Sequence, residues 1–152
     1  VRRLIAWTSW CYSQHPLLWH QLGILTSQVG VQQGDPLGPF LFALVLQRIV
    51  NMIYTDKECA DLSHNAWYLD DDGSLAGKST SVLRALNIVS SQGPALGFNI
   101  DLKKCELYGA GDLSSFPSAI QTSNTYHLEL LLDQSVILNI ATNSFLESIR
   151  LP

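Results

Sequence analysis

The chain has 152 residues, of which 47% are hydrophobic and only 14% charged, with a formal net charge of −4. This length supports one core but not two full domains, and a soluble domain ordinarily carries about 25% charged residues, so part of the surface is expected to be covered by something else. The acidic balance argues against a chain that grips nucleic acid alone, since that needs a basic face to neutralise phosphates.

Cys11, Cys59 and Cys105 are odd in number and widely spaced, which points to three reduced thiols rather than a disulfide framework or a zinc site. No uninterrupted apolar stretch approaches the roughly 18 residues of a membrane span. Trp7, Thr8, Ser9 and Trp10 interrupt any signal-peptide core. No membrane association is expected, and an intracellular location is.

Leu4, Trp7, Trp10 and Cys11 recur at helical spacing, which predicts a helix from about Leu4 to Gln14 ended by Pro16. Residues Leu22 to Val31, with Gly23 and Gly30, suit a short strand or hairpin. Asp35-Pro36 then reads as a helix cap and first helical residue, because the carboxylate accepts orphan N–H groups and proline lacks one. The helix should run from Pro36 to about Asp56. With Leu37, Leu41, Leu44, Val45, Ile49 and Ile53 it is apolar nearly all round and is expected to be largely buried.

Ala66 to Gly77 predicts a β-hairpin with Gly73 at the turn. Ser79 or Thr80 would cap a second helix carrying Val82, Leu83, Leu86, Ile88 and Val89, ended by Gly93-Pro94. Two short strands follow, at Phe98 to Ile100 and Cys105 to Tyr108. Beyond Gly109 the pattern weakens to a strand at Leu128 to Leu132 and a helix at Val136 to Ile149.

Two features carry chemistry. Gly30-Val31-Gln32-Gln33-Gly34-Asp35-Pro36-Leu37-Gly38-Pro39 is a glycine-flexed loop opening a helix, and Trp67-Tyr68-Leu69-Asp70-Asp71 is a tandem-carboxylate turn. Paired carboxylates suit nucleotidyl transfer, in which negative charge builds on attacking and leaving oxygens and hard Mg²⁺ ions held by oxygen ligands stabilise both. Adjacent aspartates on a regular strand point to opposite faces, so they can share one metal cluster only where the alternation breaks. An EF-hand calcium loop is a poor competitor, because Ser74 and Leu75 stand where its ligand and glycine belong.

In this order the two features resemble motifs B and C of the reverse transcriptase family, closest to the retrotransposon type. Gly97-Phe98-Asn99-Ile100 followed by Lys103-Lys104-Cys105-Glu106 resembles motif D. The resemblance covers about Tyr12 to Leu132, and the tail from about Asp133 departs from it. It implies an α+β fold, a partial polymerase palm with part of the fingers, built as an antiparallel sheet packed on helices within a single domain spanning 1–152. It implies that Asp70 and Asp71 bind catalytic Mg²⁺ or Mn²⁺, and that Gln33 and Gly34 contact the templating base and the incoming nucleotide. Lys104 would lie near the leaving pyrophosphate, the plain alternative being a solvated lysine beside a turn. The implied partners are an RNA template, a DNA primer and a deoxynucleotide.

Motif C carries one aspartate too many. Anchored on Trp67-Tyr68-Leu69 the pair is Asp70-Asp71; anchored on Gly73-Ser74-Leu75 it is Asp71-Asp72. Motif A, which supplies a further metal-binding aspartate, should precede motif B, yet no acidic residue precedes Asp35. The expectation is therefore a fragment whose metal site lacks one arm and whose sheet lacks its central strand. Such a fragment would be inactive alone and prone to self-association, the alternative readings being an inert retroelement remnant or a protein-interaction module.

Overall fold

The computed structural model describes residues 2–13, 17–20, 23–26, 35–68, 72–109, 113–123 and 135–143. The chain groups into two compact units, one formed by 1–30 with 145–152 and the other by 31–144. In the first, helix α1 (Arg2–Cys11) precedes an antiparallel hairpin of β1 (Leu17–His20) and β2 (Gly23–Thr26), with Leu17 opposite Thr26. The hairpin begins five residues before the stretch that the glycines suggested. Trp7, Trp10 and Trp19 are exposed.

The first described residue of the second unit is Asp35, which forms a turn instead of capping the helix. Its Oδ1 accepts from the Leu37 N–H at 2.9 Å and its carbonyl from the Gly38 N–H at 2.9 Å. Helix α2 therefore spans Gly38–Thr55, two residues later than expected, and Pro39 takes the early position where a missing N–H costs nothing. By length and composition α2 could cross a membrane, as the core helix of a soluble protein also could. In the fold only one stripe, Phe42, Leu46, Ile49 and Ile53, is buried. Phe40, Leu44, Met52 and Tyr54 are exposed, so the expectation of a largely buried helix is corrected to one-sided packing.

A 3₁₀ turn at Lys57–Cys59 leads into β3 (Leu62–Trp67) and β4 (Asp72–Lys78). Helix α3 (Ser79–Gln92) follows, with Lys78 at its cap position and no side chain capping it, in place of the expected Ser79 or Thr80. Ser81, almost fully buried, instead donates to the Glu58 carbonyl at 2.6 Å and ties α3 to the 3₁₀ turn. Then come β5 (Asn99–Ile100), β6 (Glu106–Gly109), β7 (Gln121–Ser123) and β8 (Ser135–Asn143).

The sheet order is β3-β4-β8-β6-β7, antiparallel except for the parallel β6–β7 pair, and β5 joins the far end of β8. The α+β class with an antiparallel-dominated sheet is as expected. The helix expected over Val136 to Ile149 is not formed: Ser135–Asn143 is a strand, and the central one. Val136, Leu138 and Ile140 alternate inward and are each at most 1% exposed, while β4 and β6 satisfy both backbone edges. The sheet thus has a central strand, contributed by the tail. Helix α3 packs on the inner face and α2 packs on α3. Leu75, Leu107, Leu138, Val82, Leu86, Val89, Ile49 and Ile53 form the core, where each large aliphatic contributes about 1.5–3 kcal/mol by leaving water.

Candidate active site

Because α3 covers one face of the sheet, the alternating residues on the other face line an open surface. On β4 these are Asp72, Ser74 and Ala76; on β8, Ile137, Asn139 and Ala141; on β6, Glu106 and Tyr108. The register sets them in transverse rows: Asp72 opposite Ala141, and Ser74 opposite Asn139, which is opposite Glu106. A cavity of about 360 Å³ opens over these rows, lined by Tyr68, Asp72, Ser74, Lys104, Glu106 and Asn139 among others. The small side chain of Ala141 keeps its floor low.

The carboxylate hairpin forms one wall. Trp67 pairs with Gly73, and the Tyr68 N–H donates to the Asp72 carbonyl at 2.8 Å, so the strands join through the three residues 69–71. Gly73 is therefore not at the turn, as the sequence suggested. It lies on the inner face of β4 under the Trp67 ring, where a Cβ would come within 2.5 Å of the ring carbons. Trp67 meets Phe98 edge-on at 5.9 Å, and Phe98 meets Phe42 of α2 at 6.1 Å, which fixes the base of the hairpin to the core. With Gly73 facing inward, Asp72 faces outward into the cavity beside Tyr68.

The opposite wall is the turn between β5 and β6. Asp101 organises it: its carboxylate accepts from the Lys103 N–H at 3.1 Å and its carbonyl from the Lys104 N–H at 2.9 Å and the Cys105 N–H at 3.2 Å. The Asp101 N–H donates to the Ala141 carbonyl at 3.0 Å, and the buried Cys105 Sγ accepts from the Ala141 N–H at 3.4 Å. Burial pushes the Cys105 thiol above its ordinary pKa and keeps it protonated. The turn is thus pinned to the central strand and delivers Lys104 to the cavity, where its ammonium lies 3.5 Å from the Asp101 carboxylate. Glu106 accepts from the Tyr108 hydroxyl at 2.7 Å, which raises the phenol's pKa.

Of the residues singled out in the sequence, Lys104 lines the cavity. Asp70 and Asp71, like Gln33 and Gly34, lie outside the described residues, as does the strand expected at Leu128 to Leu132. Asp72, which the sequence left as the alternative partner of Asp71, lines the cavity too, as counting the alternation back from Leu75 requires; Asn139 was missed, because its strand was read as a helix. Among the described residues no three His, Cys, Asp or Glu side chains converge as a metal site. The cavity's donors are nevertheless all oxygens apart from the lysine, the donor chemistry a hard divalent cation takes. Asp72, next in the chain to Asp70 and Asp71, and Glu106 are the described carboxylates that line the cavity.

No curated protein and no solved structure matches the chain. A family profile does: that of the reverse transcriptase (RNA-dependent DNA polymerase) matches residues 2–126, from α1 through the carboxylate hairpin and the lysine turn to just beyond β7. With most of its length matched, and with the hairpin and the lysine turn meeting at one cavity, the chain belongs to the reverse transcriptase family.

Proposed function

We propose that the second unit is part of a polymerase palm of the retrotransposon type, and that the open-face cavity is where a deoxynucleotide is added to a primer on an RNA template. The observation that carries this reading is the meeting of Asp72 and Lys104, 32 positions apart in sequence, on opposite walls of one cavity in a chain of this family. Asp70, Asp71 and Asp72 supply carboxylates for divalent cations, Mg²⁺ or Mn²⁺, which when bound stabilise charge on the attacking and leaving oxygens. Lys104 faces the leaving pyrophosphate, where a compact ammonium suits phosphate oxygens. Gln33 and Gly34 contact the templating base and the nucleotide.

The test is RNA-templated primer extension by the full reading frame to which these residues belong. Incorporation is expected that Asp71→Asn lowers by at least about 100-fold and Lys104→Ala by about tenfold, in keeping with lost electrostatic stabilisation. No incorporation by the unaltered protein would overturn the reading and leave an inert retroelement remnant.

A further inference from the structure

We propose that a divalent cation in the cavity is held by one arm from each of two strands, the Asp72 carboxylate from β4 and the side-chain oxygen of Asn139 from β8. This rests on the polymerase reading but adds a ligand from outside the matched residues 2–126. Asp72 stands opposite Ala141, so Asn139, two residues along the same strand, is its diagonal neighbour on the same face. Diagonal neighbours of an antiparallel pair are about 7–8 Å apart at Cα and less at Cβ. An Asp and an Asn that share one Mg²⁺-sized ion have a combined reach of about 9 Å between their Cβ atoms. The pair is within range.

Glu106, the other carboxylate of the cavity, is not. It lies across β8 from Ser74 and two positions down from the Asp72 row, a separation of about 12 Å against a reach of about 10 Å. It is also engaged by the Tyr108 hydroxyl. Asn139, by contrast, is held in a ligand's posture. The Ser74 hydroxyl donates to its Oδ1 at 3.2 Å, which fixes the oxygen toward β4 and leaves its second lone pair for the cavity. A neutral amide in this position gives a cation site with fewer charges than a carboxylate pair, and hence weaker binding.

The experiment is Mn²⁺ binding to the purified chain, read as loss of the free-ion electron paramagnetic resonance signal, with thermal melts confirming that each variant folds. Asn139 is exposed on the open face, so its variants should fold as the parent does. Asp72→Asn should weaken binding at least tenfold and Asn139→Ala severalfold. Asn139→Asp, which replaces an amide oxygen by a carboxylate, should tighten it severalfold, an increase that a merely structural role cannot produce. Mn²⁺ binding that depends on Asp70 or Asp71 but is unchanged by both Asn139 variants would overturn this inference and leave the polymerase reading standing. No Mn²⁺ binding by the unaltered chain at millimolar ion would overturn the cation site itself.

Discussion

Single side chains fix the hairpin that presents the aspartates. Trp67 lies flat over Gly73 because glycine alone leaves room there, so Gly73→Ala forces the ring aside. The expected cost is about 1–3 kcal/mol, as for other overpacked sites, visible as a lower melting temperature and altered tryptophan near-ultraviolet dichroism. An unchanged melt would mean that the ring swings away freely. The thiols make a second prediction. Cys59 and Cys105 are buried and their pKa values raised by that burial, whereas Cys11 is exposed. One thiol should react promptly with Ellman's reagent at pH 8 and two only on unfolding; fast labelling of Cys105 would contradict its place behind the lysine turn. At this scale the sequence was partly legible. The Asp-Asp-Asp run marked the hairpin, but the assignment of Gly73 to the turn failed, because a glycine required by a ring on the neighbouring strand looks the same in sequence as one required by a bend.

At the scale of elements, β8 is where the fold was least readable. Val-Ile-Leu-Asn-Ile-Ala is an apolar run whose local pattern serves helix and strand alike, and what decides it is pairing with β4 and β6, partners that lie about sixty and thirty positions earlier. Helices α2 and α3 and the β3–β4 hairpin were legible because their signals are local: periodicity, a proline, a tight connection. Leu138→Ala should therefore cost about 2–5 kcal/mol, as a fully buried leucine on the central strand, whereas Asn139→Ala beside it should be nearly silent in a urea melt. The junction of α2 with α3 carries a pH signature. Both Arg84 Nε and Nη2 donate to Asp56, at 3.0 and 2.8 Å, and hold its carboxyl below the ordinary carboxylate range. With the folded pKa depressed, the contribution is present above the unfolded value of about 4 and lost as pH falls through the folded one. Asp56→Asn should lower the melting temperature at pH 7, and the difference from the parent should shrink below about pH 4; a constant difference would show that the arginine pair adds nothing.

For the whole molecule, β8 pairs β4 from Asp72 to Lys78, so among the described residues the open edge of the carboxylate hairpin runs along β3 and not along β4. The outer side of α2 is exposed as well, with Phe40, Leu44, Met52 and Tyr54. Few charges oppose association, so the chain should elute as more than a monomer in size-exclusion chromatography with light scattering. Phe40→Ser with Leu44→Ser should shift it toward monomer, and a parent that is already monomeric at high concentration would show that this surface is tolerated.

The position of β8 also dictates when the molecule can come into being. Strands β3, β4, β5, β6 and β7 are all made before it, yet β4 and β6 are joined only through it. During synthesis the two halves of the sheet must wait, each with a bare edge, for residues 135–143 to leave the ribosome, and closure then depends on contacts far apart in the chain, the slow kind. A message cut short after residue 126, where the family match ends, would encode the hairpin, the lysine turn and all three helices and still lack the strand that joins the two halves of the sheet.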